Sequence, residues 1–203
     1  SGGAMTGSGT TNTNGALSIS GANTKDLTGL HVLHTSGTTT WTGSGQVRVG
    51  TGASIINDGT WNAQGNFPMV ALGGGSATFN NAAAGLFVKS AGGGETTVSI
   101  TSFTNAGTVE AQNGTLGFAA SNYTQTAGIT KFTGGVISSG TNVNIQGGSL
   151  AGSGAVYAPV VVSGTGALAP GLSAGTLDIQ GNYTQQAPSG AFNVEIGGLS
   201  PGA

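Results

Sequence analysis

The sequence predicts an all-β protein wound as a parallel β-helix, a β-solenoid of about nine rungs, each roughly 18–26 residues long. Three observations carry that prediction. The unit Gly-x-Φ-x-Φ, where Φ is apolar, recurs along most of the chain. Glycines 37, 59, 85, 107, 128, 148 and 166 keep nearly even intervals of 22, 26, 22, 21, 20 and 18 residues. Glycine supplies 41 of the 203 residues and charged residues only 5%, against about 7% and about 25% in ordinary domains. Gly, Thr, Asn and Ser form helix poorly, and no stretch free of them has helical apolar spacing.

Each glycine-led unit reads as a turn followed by a short strand, because glycine tolerates a positive φ and the alternation places every second side chain on one face. In chain order the units are Gly15-x-Leu17-x-Ile19, Gly45-x-Val47-x-Val49, Gly107-x-Val109-x-Ala111, Gly114-x-Leu116-x-Phe118, Gly175-x-Leu177-x-Ile179 and Gly190-x-Phe192-x-Val194-x-Ile196. Gly59-x-Trp61-x-Ala63 and Gly128-x-Thr130-x-Phe132 are close variants. Residues 27–34 depart from the template, and their register puts either Leu30 or His31 inside. Residues 71–77, with Gly73, Gly74 and Gly75, read as a loop. Gly85-Leu86-Phe87-Val88 is apolar on both faces.

An aromatic or apolar residue followed by Asn or Gln precedes several of these glycines. Phe103 with Asn105, Tyr123 with Gln125, Tyr183 with Gln185, Ile56 with Asn57 and Phe79 with Asn80 and Asn81 mark the period. The Φ positions are expected inside. Gln46, Arg48, Thr60, Asn62, Thr108, Glu110, Thr176, Asp178, Asn193 and Glu195 are expected outside. If Gly107 and Gly128 stack in register, Glu110 lies over Lys131 as a cross-rung ion pair.

The net charge is −2, with only Lys25, Arg48, Lys89 and Lys131 as cations. Phosphate backbones call for a dense basic surface, so nucleic acid is not an expected partner. No apolar run reaches the roughly 20 residues that span a bilayer, and no membrane insertion of this segment is expected. Cysteine is absent, so stability is expected from repetition rather than cross-links. Residues 1–5 resemble a remnant left from expression, and residues 6–203 are expected to form one solenoid segment cut at both ends.

No catalytic, cofactor-binding or metal-binding residue is expected. The carboxylates are Asp26, Asp58, Glu95, Glu110, Asp178 and Glu195. Glycoside hydrolysis needs two facing carboxylates, whereas Asp58 and Glu110 lie about two rungs, roughly 10 Å, apart. His31 and His34 fall on opposite faces of a strand without a carboxylate or thiol beside them in sequence. No Gly-Lys-Ser or Gly-Lys-Thr follows the glycine tracts, and no calcium-binding nonapeptide occurs. Thr60, Thr108, Thr115 and Thr176 share one position after glycine, but Leu86, Ile129 and Ser149 interrupt the column, which spoils the regular plane that ice binding needs. Trp41, Tyr123, Tyr157 and Tyr183 recur at the spacing of core aromatics, with stacking on sugars as the other reading.

Leu150-Ala-Gly-Ser-Gly154, Val160 to Gly171 with its Pro170-Gly171 step, Ala174 to Gln185 and Val194 to Gly198 resemble the passenger-associated repeat of bacterial autotransporters. The likeness covers about the last 55 residues. Trp41 to Gly45 and on to Trp61 is similar to rungs of large repetitive surface adhesins. The resemblance implies a right-handed, single-stranded parallel β-helix in a secreted or surface-displayed bacterial passenger, and carries over no catalytic residue. The expectation is a non-enzymatic stalk or adhesive surface, extracellular or at the bacterial cell surface. Its expected partners are a host-surface or matrix protein, a glycan, or a second copy through the solenoid ends. A carbohydrate-active β-helix with a cleft formed by the loops at residues 73–77 and 91–95, or a glycan-binding module, is the alternative. An inert spacer or filament subunit is the third reading.

Overall fold

The computed structural model describes residues 2–119, 122–171 and 175–194. Among them there is no helix: the chain is a parallel β-solenoid of about eight turns, with three strands to a coil. The third coil shows the plan. Val47–Gly50 lies on the first face, Ser54–Asn57 on the second and Thr60–Ala63 on the third. One coil later Met69–Leu72, Thr78–Asn81 and Leu86–Lys89 pair with them in parallel. The second face is a sheet of nine strands, about 38 Å long at about 4.8 Å per strand. Ile129–Ser139 and Ser149–Tyr157 bend at the corner, so each serves the third face of one coil and the first face of the next. Gly3–Met5 pairs in parallel with Lys25–Leu27 as the first strand of the first face.

The period read from the glycines is the period of the fold. Thr38, Thr60, Leu86, Thr108, Ile129, Ser149 and Ala167 form one register column, each directly after one of the seven evenly spaced glycines. The reason for glycine there differs from the expected one. Gly37, Gly59, Gly85 and Gly107 do not have positive φ; only Gly128 and Gly148 in this column do. A Cβ on Gly37 would collide with the Gly15 carbonyl oxygen, on Gly59 with that of Gly37, and on Gly107 with that of Gly85. Each stacked corner needs that space, because the glycine carbonyl accepts an N–H from the coil above: Thr60 N–H donates to Gly37 O at 3.0 Å, Thr108 N–H to Gly85 O at 2.8 Å and Ile129 N–H to Gly107 O at 2.8 Å.

The inward side chains of all three faces form a single core. On the second face Phe79 stacks on Phe103, 5.0 Å between centroids and 11° between planes, and Phe103 on Tyr123 at 5.7 Å and 15°. Phe87 of the third face meets Phe79 and Phe103 edge-on, at 5.2 and 5.3 Å. Such pairs add about 0.5–1.5 kcal/mol each beyond burial. Trp41 and Tyr123 are therefore core, as their spacing predicts, while Tyr157 is exposed and Tyr183 half-buried.

Beside the aromatic column runs a buried polar one that sequence reading recognised only as a period marker. Thr35 Oγ1 donates to Asn57 Oδ1 at 3.0 Å, Asn57 Nδ2 to Asn81 Oδ1 at 2.8 Å and Asn81 Nδ2 to Asn105 Oδ1 at 2.8 Å. Asn105 Nδ2 continues to Gln125 Oε1 at 3.3 Å. Each amide also ties its coil to the corner behind it, as Asn81 Nδ2 does to the carbonyls of Gly85 and Thr108 at 3.1 and 2.9 Å. A buried amide is tolerated only when its donors and acceptors are met, and here the repeat itself supplies the partners.

The alternative left open at residues 27–34 resolves to His31: Leu30 is 65% exposed and His31 9%. Several other expectations need correction. Thr60 and Thr108 share a column, but Thr115 lies on the first face, paired with Glu95 and Val136, and Thr176 lies outside any strand. Of the last unit, Phe192 and Val194 are exposed rather than inside, since among the described residues no further coil covers them. Ala71 and Leu72 belong to a strand, so the loop spans residues 73–77. Glu195, Ile196 and the end of the repeat resemblance lie outside the described residues.

Candidate functional site

The solenoid sorts its few ionisable groups by face. On the first face Arg48 grips Asp26 of the preceding coil in a two-pronged pair, Nε to Oδ1 and Nη2 to Oδ2, both at 2.7 Å. That hydrogen bonding holds the Asp26 carboxyl below its ordinary value, against a smaller opposing effect of burial. Lys25, Glu95 and Asp178 belong to strands of this face as well. On the third face Glu110 and Lys131 are register partners, 3.0 Å apart, as the stacking of Gly107 on Gly128 predicts. Burial alone would raise the Glu110 carboxyl. Hydrogen bonds from Gln112, Lys131 and Thr133 outweigh it and leave the group below its usual range.

Lys89 is the cation that sequence reading did not place. It follows Val88 on the third face in the inward column of Ala63 and Ala111, and it is fully buried. Its Nζ donates to Gly65 O at 2.9 Å, Ala91 O at 3.0 Å, Asn66 Oδ1 at 3.2 Å and Thr96 Oγ1 at 3.2 Å. Desolvation pushes its pKa down. The ammonium thus knots residues 64–68 to residues 90–96 at one corner. Alternation alone predicts an inward side chain at position 89, and that signal was present in Gly85-x-Phe87-x-Lys89.

Of the two histidines, His31 shares a 2.9 Å hydrogen bond between Nε2 and Thr11 Oγ1. His34 points out from the second face and its Nε2 lies 2.5 Å from Asp58 Oδ2. The chain neighbours of His34 contain no carboxylate; Asp58 arrives from the coil above, which linear spacing does not reveal. Asp58 is engaged by His34 and Glu110 by Lys131 and Thr133, and the two stand two coils apart in the stack. Among the described residues no group of three or more His, Asp or Glu is placed to hold a metal ion. The loops at residues 73–77 and 91–94 stand at opposite edges of the first face, one leading into Thr78–Asn81 and the other into Glu95–Ser99. They share no common cleft.

A cavity of about 420 Å³ occupies the lumen of the first coils, walled by Met5, Leu17, Ile19, Leu27, Leu33 and Trp61 among others. Its walls are mainly apolar, with Lys25 and Asp26 as the charged members, Asp26 being already paired with Arg48.

The outer side of the second face is different in kind. Its strands carry Asn12, Val32, His34, Ser54, Ile56, Thr78, Asn80, Ser102, Thr104, Thr124, Asn144, Val161 and Thr184 outward. His34 stands in its outward column between Asn12 and Ile56, paired with Asp58 at the corner; among the described residues no other ionisable side chain points out from this face, and the remaining charges belong to the other two faces except Lys89, which is buried. Beyond His34 the outward rows are uncharged, mostly hydroxyls and amides with Val32, Ile56 and Val161 among them, at the strand repeat.

Compared with protein-family models, curated proteins and solved structures, the chain matches none.

Proposed function

We propose that this chain is a structural and adhesive segment, a stalk that presents a binding surface, of a bacterial protein secreted or displayed at the cell surface. The observation that carries the reading is one buried core that runs from Ile19 to Leu168, with the buried or half-buried groups Lys89, Glu110, Asp26, His34 and Asp58 committed to partners within the solenoid. Nearest-coil packing makes such a rod extensible by repetition, which suits projection from a surface. The resemblance of residues 150–198 to autotransporter passenger repeats supports the same reading.

A glycan array combined with a turnover assay tests it, alongside protease accessibility of the full gene product on intact cells. Binding without bond cleavage, with the solenoid accessible from outside, is expected. Cleavage abolished by Asp58→Asn or Glu110→Gln would overturn the stalk reading in favour of a carbohydrate-active enzyme.

A further inference from the structure

We propose that the second face is the docking surface and that its occupant is an extended, uncharged polysaccharide chain. The inference rests on the display reading above and deepens it by naming a face and a partner class.

Charge selects the partner first. The described charges lie on the first and third faces, at Asp58 or, for Lys89, inside, and from Ser54–Asn57 onward the outward rows of the second face carry no ionisable side chain. Along those rows a polyanion or a charged protein patch would meet no counter-charge and would lose hydration without compensation. Shape selects next. Small-molecule sites are concave, whereas this face is an open sheet with outward side chains at every second residue. Chemistry then matches the two surfaces. Thr78, Asn80, Ser102, Thr104, Thr124 and Asn144 each offer donors and acceptors together, as sugar hydroxyls do. Ile56 and Val161 provide apolar ground for the C–H faces of a sugar ring.

Part of this array is already ordered. Thr104 Oγ1 donates to Asn80 Oδ1 at 3.2 Å, and Asn144 Nδ2 to Tyr123 O at 3.3 Å, so these groups lose little freedom on binding. The rows repeat every strand, about 4.8 Å, which favours a polymer with its own short repeat over a single small ligand.

A second copy of this chain fits the face less well. The sheet is about 38 Å long and about 13 Å wide, some 500 Å², while a stable protein interface buries about 800 Å² on each partner. Each row contributes little, so retention depends on many rows engaging one polymer.

The test is co-sedimentation of the solenoid with insoluble cellulose, chitin and β-1,3-glucan, repeated with heparin-agarose as the charged comparison. Retention on at least one neutral polymer and none on heparin is expected. Thr104→Lys with Thr124→Lys should weaken retention at least tenfold, and Asn80→Lys alone by a smaller factor, about threefold. Thr97→Lys with Ser138→Lys on the first face should change it less than twofold. Unchanged far-ultraviolet dichroism and melting confirm that each variant folds, and Asn80→Lys alters only an exposed side chain. No retention on any of the three polymers, or equal loss from the first-face variant, would overturn the proposal. So would a dimer in sedimentation velocity that the second-face variants dissolve, because that assigns the face to a second copy. These results are separable from the display reading, which fails on Asp58- or Glu110-dependent turnover, or when the segment is inaccessible from outside the cell.

Discussion

Asn80 and Asn81 are neighbours in sequence with opposite fates in the fold, and replacing each by alanine measures the register of the second face. Asn81 is fully buried, and its Nδ2 serves Asn105 Oδ1, Gly85 O and Thr108 O, while its Oδ1 accepts from Asn57. Asn81→Ala strands one Asn57 amide proton and removes the side-chain donor from two corner carbonyls. Asn57 Nδ2 keeps the Leu86 carbonyl and Asn105 Oδ1 keeps the Gly107 N–H, so the lower end of the range applies. Three groups at about 1 kcal/mol each give about 3 kcal/mol. For a chain of this size that is a melting-temperature loss of about 6–12 °C. Asn80 is exposed and its one side-chain bond, from Thr104, is at the surface, so Asn80→Ala should stay within about 0.5 kcal/mol. Urea unfolding followed by far-ultraviolet dichroism and by the fluorescence of Trp41 and Trp61 gives both values. An Asn80→Ala cost equal to or above that of Asn81→Ala would refute the inward ladder, because a one-residue slip exchanges the two faces.

Three further outcomes follow from the same geometry. Gly107→Ala should cost on the order of 3 kcal/mol, since its Cβ meets the fixed carbonyls of Gly85 and Ala82. Gly93→Ala, with open space around the new methyl, should cost less than about 0.5 kcal/mol in the same denaturation assay. A double-mutant cycle with Glu110→Gln and Lys131→Met should return a coupling of about 0.2–1 kcal/mol that shrinks in 1 M salt. Lys89 binds its proton less tightly in the fold than in the unfolded chain, so the unfolded state carries more protons between the folded pKa and about 10.4. Stability should therefore climb with pH in that window, and Lys89→Met should flatten the climb in melting curves recorded from pH 8 to 9.5. Above about pH 10 the trend is opposed by Tyr123, whose hydroxyl burial keeps protonated, so the comparison ends below that value.

Period, strand class and parallel stacking were legible in the sequence because a solenoid repeats one local solution: a glycine where two corners touch, then alternation that turns apolar side chains inward. Even the Glu110–Lys131 pair could be read, since it needs only the register of one glycine on the next. What linear spacing could not show is whatever depends on three faces closing around one lumen. Asp58 reaches His34 because a coil returns to its own edge, Asn57, Asn81 and Asn105 become a continuous buried ladder because their inward column lies beside a corner, and Lys89 finds four oxygens only where two loops meet. The uncharged second face also belongs to the tertiary structure. The charges are scattered along the chain, and only the folding of each coil into three sides gathers most of them onto the first and third faces and leaves the second uncharged beyond the His34–Asp58 pair.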